Sequence, residues 1–208
     1  MVFRKKPIFD WFEDQVNNGR KSQVRPLYYE DLRHMVKWPK GSAIEEAPFH
    51  DFPRDWASME AWFSSRTRNP YRRTWTVLDE RQRIIGRIGI VLVDLERKEG
   101  LLSIRLRADR IGEGYGYDSL IPMLNHWFIT LQMNTMALDV SILNTRAIRL
   151  YEKLGFRLTG YHWVPIARDY IVPGISDSGF ARYLDMQLDR EDWQALAPTL
   201  SEAGDSGE

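Results

Sequence analysis

Between Leu101 and Phe156 the chain reads strand, glycine loop, long helix, strand, short helix, and few folds accept that order. The first strand, Leu101–Arg107, runs into Ile111–Tyr117, and an amphipathic run then continues to about Met133. Thr135–Ser141 alternates as the next strand, so a helical crossover joins two strands that must lie parallel. Gly112, Gly114 and Gly116 let the loop backbone turn with its N–H groups unobstructed. The unpaired N–H groups of a helix start, with the helix dipole, favour a phosphate there. The candidate anion-binding residues are therefore Ile111, Gly112, Glu113, Gly114, Tyr115, Gly116 and Tyr117.

Glycines at this spacing also occur in other nucleotide sites and in plain tight turns. A phosphate loop of the Gly-Lys-Ser/Thr kind is excluded, because Tyr117 comes directly after Gly116. A dinucleotide-binding fingerprint wants an acid about 20 residues on, and Asp139 stands 25 residues past Gly114. The segment after Asp139 decides between these readings. Asn144 suits a helix N-cap, Ile148, Tyr151 and Leu154 recur at helical spacing, Gly155 suits a left-handed end, and Phe156 opens another strand.

Asn144, Ala147, Leu150, Tyr151, Gly155 and Phe156 together resemble the second signature of the GNAT superfamily of N-acetyltransferases, Asn-x-x-Ala-x-x-Leu-Tyr-x-x-x-Gly-Phe. That superfamily pairs it with an upstream Gln/Arg-x-x-Gly-x-Gly/Ala loop, which Gly114 and Gly116 match and Ile111 does not. Arg25 and Pro26 with Glu30, Asp31 and Leu32 after them, and the ending at Arg190–Trp193, are similar to the ribosomal-protein N-terminal acetyltransferase branch. The resemblance implies an α/β (α+β) GNAT fold. It has a mixed central sheet of about six to seven strands, helices on both faces, and a splayed parallel strand pair that holds the pantetheine arm of acetyl-CoA. It implies cofactor contacts from Leu106 and Arg107 on the first strand, from loop residues 111–117, and from Asn144, Ala147 and Tyr151. It implies an amine acceptor, either a small molecule or a protein N-terminus, and leaves a homodimer open. Two other readings stand beside it: a CoA-binding protein of this fold without catalysis, and a nucleotide-binding fold of the NAD type.

Length and composition agree with one main domain. With 208 residues and 43% hydrophobic content, the chain can bury about 70% of its unfolded surface in a single core. The expected division is an N-terminal helical extension over 1–22, one acetyltransferase domain over 23–195 and a polar tail over 196–208. Lys plus Arg and Asp plus Glu both count 29, so no general positive field exists to hold nucleic acid. The absence of cysteine excludes disulfides, thiolate metal sites and a cysteine acyl-enzyme. His34, His50, His126 and His162 are too scattered to suggest a metal site. Neither a signal peptide nor 18 uninterrupted apolar residues is present, which points to a cytoplasmic protein without a membrane partner.

The remaining elements are read from period and punctuation. Residues 7 to 17 read as a short amphipathic helix, Gln23–Leu27 as a strand, Tyr28–Trp38 as a helix, and 55 to 68 as a helix carrying Trp56, Met59, Trp62 and Phe63. Arg73–Leu78, Ile84–Val93 and the Leu101 strand form an antiparallel meander, with Gly86 and Gly89 placed for a bulge or a close backbone approach. Pro122 should kink the long helix or shorten its first turns. Pro39, Gly41, Pro48 and Pro53 break the segment before the 55–68 helix, and a Pro- and Gly-bounded insertion spans 165 to 180.

Direct acetyl transfer needs a neutral amine, a polarised thioester carbonyl and a proton for the departing thiolate. The superfamily resemblance assigns the last to Tyr151, and strand N–H groups near Leu106 suit the second. Asp139 is the best-placed carboxylate to act as base: it stands five residues before Asn144, where the ribosomal-protein branch can carry a glutamate. Bringing a lysine-like amine to its neutral form at pH 7 costs roughly 4.6 kcal/mol, an α-amine only roughly 1, so an α-amine needs little base assistance. Glu45, Glu46 and Asp51 beside Trp38 and Phe49, with Tyr170 and Asp177 in the insertion, suggest a pocket for a cationic amine.

Overall fold

The structure is a computed structural model and describes residues 19–39, 53, 55–165 and 179–202. The helix expected over 7–17, the acids Glu45, Glu46 and Asp51, Phe49, and Tyr170 and Asp177 of the insertion lie outside the described residues.

Seven strands form one mixed sheet: β1 (Ser22–Pro26), β2 (Arg73–Asp79), β3 (Ile84–Asp94), β4 (Glu99–Leu106), β5 (Thr135–Ser141), β6 (Arg157–Pro165) and β7 (Phe180–Asp189). Their order across the sheet is β1-β2-β3-β4-β5-β7-β6. All neighbours are antiparallel except β4 and β5, the pair joined by the helical crossover. That parallel pair is short. It holds only Glu99 with Thr135, Gly100 with Met136 and Leu101 with Ala137 before the strands part, so a V opens in the middle of the sheet.

Helices cover both faces: α1 (Leu32–Met35), α2 (Trp56–Thr67), α3 (Tyr115–Asn125), α4 (Thr145–Lys153) and α5 (Arg190–Glu202). Side chains alternate across a strand, and the two faces differ accordingly. Ile88 and Ile90 of β3 enter the larger core with Leu120, Met123 and Trp127 of the crossover and Trp193 of α5. The other face receives a smaller cluster, Leu27, Leu32, Met35 and Met59, brought by α1 and α2. The Tyr28–Trp38 segment is less helical than its pattern suggests: a 3₁₀ turn over Tyr29–Asp31 precedes a short α1. Asp31 is the reason. Its buried carboxylate accepts two hydrogen bonds from Arg25 at 2.7 Å, one from Thr76 Oγ1 at 2.7 Å and one from the Tyr28 N–H at 3.0 Å, and these fix the turn.

Pro122 leaves the first turns of α3 intact, and the Asp118 N–H still reaches the Gly114 carbonyl at 3.1 Å. The irregularity falls downstream instead. His126–Thr130 is a π-helical turn, with Leu131 N–H bonded to the His126 carbonyl at 2.9 Å. In the meander the β2–β3 register shifts between Val77 and Leu78, opposite Gly86. At the C-terminal end, α5 carries the helix to Glu202, past the boundary drawn at residue 195, and Ala197 packs against the larger core. Among the described residues, no helix is long and apolar enough to cross a membrane, and no group of His, Cys, Asp or Glu could hold a metal ion.

Candidate active site

The V between β4 and β5 opens into a cavity of about 880 Å³ that runs from the glycine loop across the sheet to α2. Beyond Leu101 and Ala137 the two strands no longer pair with each other, so backbone groups on these edges face the cavity rather than a ladder. Of the residues singled out in the sequence, Leu106, Ile111, Gly112, Gly114, Gly116, Tyr117, Asp139, Asn144, Ala147 and Tyr151 line it. Arg107, Glu113 and Tyr115 do not. Arg107 pairs with Asp109 at 2.6 Å, Glu113 takes Arg110 at 3.1 Å, and Tyr115 is buried with its Oη donating to Glu80 at 2.8 Å.

The loop has the backbone its glycines allow. Gly112 and Gly114 have φ of 90° and 82°, and Gly114 caps α3 in the left-handed conformation. Two cations that sequence spacing does not reveal stand close by. Lys21 Nζ donates to the Glu113 carbonyl and lies 4.5 Å from the Tyr115 ring centroid, and Arg146 lines the cavity at the start of α4. Lys21 is held there by Asp118 in the first turn of α3, whose carboxylate accepts from Arg20 N–H at 2.9 Å and from Lys21 N–H at 3.2 Å. Only the packing of β1 beside α3 brings these distant residues together.

Tyr151 is positioned by both ends of α4. Asn144 Oδ1 accepts the Ala147 N–H at 3.1 Å and starts the helix. At the other end Gly155 has φ of 90°, its N–H bonds the Glu152 carbonyl at 3.0 Å, and Phe156 N–H bonds the Tyr151 carbonyl at 2.9 Å. This is a Schellman ending, and its accompanying apolar contact is Phe156 against Tyr151, with ring centroids 5.8 Å apart. The spacing Tyr-x-x-x-Gly-Phe is thus the spacing of a helix stop that turns one aromatic ring into the V. Burial, reinforced by the charge of Asp139, raises the Tyr151 phenol well above the ordinary tyrosine range, so the phenol stays protonated through neutral pH.

Asp139 is exposed to the cleft on the face of β5 opposite the larger core. The protein crowded around it pushes its carboxyl up from the usual aspartate range; His162 opposes that shift and Asp185 adds to it. These neighbours belong to a second recess of about 320 Å³, which shares Leu101 and Asp139 with the main cavity. There His162 Nδ1 lies 2.7 Å from Asp185 Oδ1 and the imidazole stacks on Tyr183 at 5.9 Å. Sequence reasoning missed His162 and Asp185 because only the β5–β7–β6 register brings them beside Asp139.

The far wall differs in sign. Trp62, Arg66, Arg72 and Arg87 line the cavity beneath α2, with the Arg66 and Arg87 guanidinium carbons 3.9 Å and 4.9 Å from the Trp62 ring centroid. Burial holds Arg87 down to about 9, helped by the charges of Arg105 and Arg66; burial and Arg72 hold Arg66 down to about 10.

The fold has known counterparts. The family model described as an acetyltransferase (GNAT) domain matches residues 23–157. The chain belongs to the GNAT acetyltransferase family. It is an N-acetyltransferase that takes its acetyl group from acetyl-CoA. This GNAT acetyltransferase is 22% identical over 138 residues to the spermidine N(1)-acetyltransferase of Vibrio cholerae, a match covering 66% of this chain and 80% of the relative. The crystal structure of the spermidine N-acetyltransferase from Vibrio cholerae in complex with CoA and spermine superposes with a TM-score of 0.69 at 18% identity. That match covers 84% of this chain and 98% of the other. A further structure, of the spermidine/spermine N-acetyltransferase of the same organism, gives 0.65 at 17% identity, covering 84% and 96%. At such identities the structural likeness carries the fold. The residues present also fit acetyl-CoA on their own terms, since positive-φ glycines at a helix start suit a pyrophosphate and the unpaired edges of the V suit the amides of an extended arm.

Proposed function

We propose that this acetyltransferase moves the acetyl group directly to the primary amine of a small molecule, with Asp139 accepting the amine proton and Tyr151 giving one to sulfur. The observation that carries the reading is that Asp139 of β5 and Tyr151 of α4 line one cavity, onto which the glycine loop also opens. Acetyl-CoA supplies an activated acyl thioester. In this reading, backbone N–H groups of β4 near Leu106, which lines the cavity, polarise its carbonyl. Asp139, directly or through a water, takes the proton released as the amine nitrogen forms its bond to carbon. Tyr151 Oη donates as the C–S bond breaks, and its raised pKa keeps that proton in place until a thiolate develops beside it.

A small acceptor is supported by the relatives, which are named for acting on spermidine and spermine. A protein N-terminus is the second reading, supported by the likeness of Arg25–Leu32 to the ribosomal-protein branch. The test is incubation with acetyl-CoA and a panel of small amines and N-terminal peptides, reading thiol release and the mass of the product. Acetylation of a small amine is expected. Turnover of peptides alone would move the acceptor class to protein N-termini, and CoA binding with no acetylated product would make the chain a CoA-binding protein.

The pyrophosphate is assigned to the N–H groups of residues 112 to 117. Gly114→Val places a β-branched side chain at a φ of 82°, so the loop must rearrange. The dissociation constant for CoA, measured by calorimetry, is expected to rise at least tenfold, about 1.4 kcal/mol. Unchanged affinity in a folded variant would remove the loop from the site.

A further inference from the structure

The acceptor face of the cleft is electrically two-ended. Asp139, Asp185 and His162 stand on β5, β7 and β6 at one end. At the other, Arg66 and Arg87 stand against the Trp62 ring, Arg72 lines the same wall close enough for its charge to act on Arg66, and Asp139 is the only carboxylate among the described residues of the main cavity wall. Both ends open on the same side of the sheet and meet at Leu101 and Asp139. Burial lowers the pKa values of Arg66 and Arg87, and the charges of Arg72 on Arg66 and of Arg105 and Arg66 on Arg87 lower them further. Planar guanidiniums are the side chains best matched to a carboxylate or phosphate.

From this geometry we infer that the acceptor is a zwitterion, an amine that also carries a carboxylate or phosphate, with its amine directed to Asp139 and its anion to Arg66 and Arg72. The inference rests on the acetyl-transfer reading and narrows it. A wholly cationic polyamine would meet like charge along the α2 wall, at a cost that grows as water is excluded. An anionic group reaching the same wall relieves the repulsion among the arginines while its amine keeps the carboxylates of the other end. Acetyl transfer to such an acceptor forms a neutral amide and leaves the anion in place, so the product loses its hold on Asp139 and keeps only the arginine contacts.

The test compares matched amines under acetyl-CoA saturation: β-alanine and γ-aminobutyrate against diamines of equal length, O-phosphoethanolamine against ethanolamine, and spermidine. The anionic member of at least one pair is expected to show kcat/KM higher by about tenfold or more, and the pair that shows it separates carboxylate from phosphate. Arg66→Gln and Arg72→Gln should each shrink that ratio, and Arg66→Lys should restore part of it. Diamines or spermidine turned over as well as the anionic amines would overturn the inference while leaving acetyl transfer standing. So would a ratio unaltered in folded Arg66→Gln and Arg72→Gln variants. If no amine is acetylated although acetyl-CoA binds, the acetyl-transfer reading falls and this one with it. The ratio for the unsubstituted protein decides even where a variant fails to fold.

Discussion

Tyr151→Phe is expected to lower kcat for acetyl transfer by roughly 10² to 10⁴, about 2.7 to 5.4 kcal/mol of barrier, with CoA affinity unchanged within a few-fold. The substitution removes one oxygen and keeps the ring, so the edge contact with Phe156 and the helix stop at Gly155 survive. A structural role would therefore leave little trace, whereas loss of a proton donor should slow the breaking of the C–S bond. The split between kcat and affinity is the readout. The raised pKa adds a second signature: the phenol keeps its proton beyond the ordinary tyrosine range, so the unsubstituted enzyme should show no alkaline fall in rate from Tyr151 in mildly basic solution. A variant with normal kcat would return the residue to packing alone.

Asp31→Asn should destabilise the fold by about 3 kcal/mol, because it breaks a buried ion pair and leaves Arg25 facing an amide. Asp31 is 3% exposed and accepts from Arg25, Thr76 and Tyr28 at once. Burial by itself would raise its pKa; the hydrogen bonds from Arg25, Thr76 and the Tyr28 N–H outweigh that and lower it. A depressed folded-state pKa gives stability that is fully present above the unfolded value, about 3.9, and is lost as pH falls from there through the folded value. Urea unfolding should thus show the variant's deficit at neutral pH and a narrowing gap below about pH 4. A deficit under about 1 kcal/mol, the range of exposed pairs, or one indifferent to acid, would mean that the bridge does not hold the turn.

The strands of the meander, the crossover and the α4 signature were legible because each is local: alternation, glycine position and capping act within a few residues. Arg25 and Asp31 were legible as a likeness to other chains, but their bidentate bridge, with Thr76 as its third partner, was not, because Thr76 comes from a strand far along the chain. The same holds for the arginine wall. Arg66 sits on a helix and Arg72 and Arg87 on or beside the strands around it, at spacings that mean nothing until α2 lies over the sheet. Sequence reasoning looked for acids in the 37–53 segment and the 165–180 insertion, all of them outside the described residues, and gave no weight to guanidiniums. Asp139 and Tyr151, singled out on separate grounds, do face the same cavity.

The short β4–β5 seam has one more consequence. The antiparallel neighbours are tied along most of their length, but the sheet's two halves meet through three residue pairs. An extended molecule bearing amides, laid in the V, would hydrogen-bond to both unpaired edges and occupy the place of an absent strand. The donor then completes the sheet as well as reacting in it, and each turnover takes out a piece of the enzyme's own architecture.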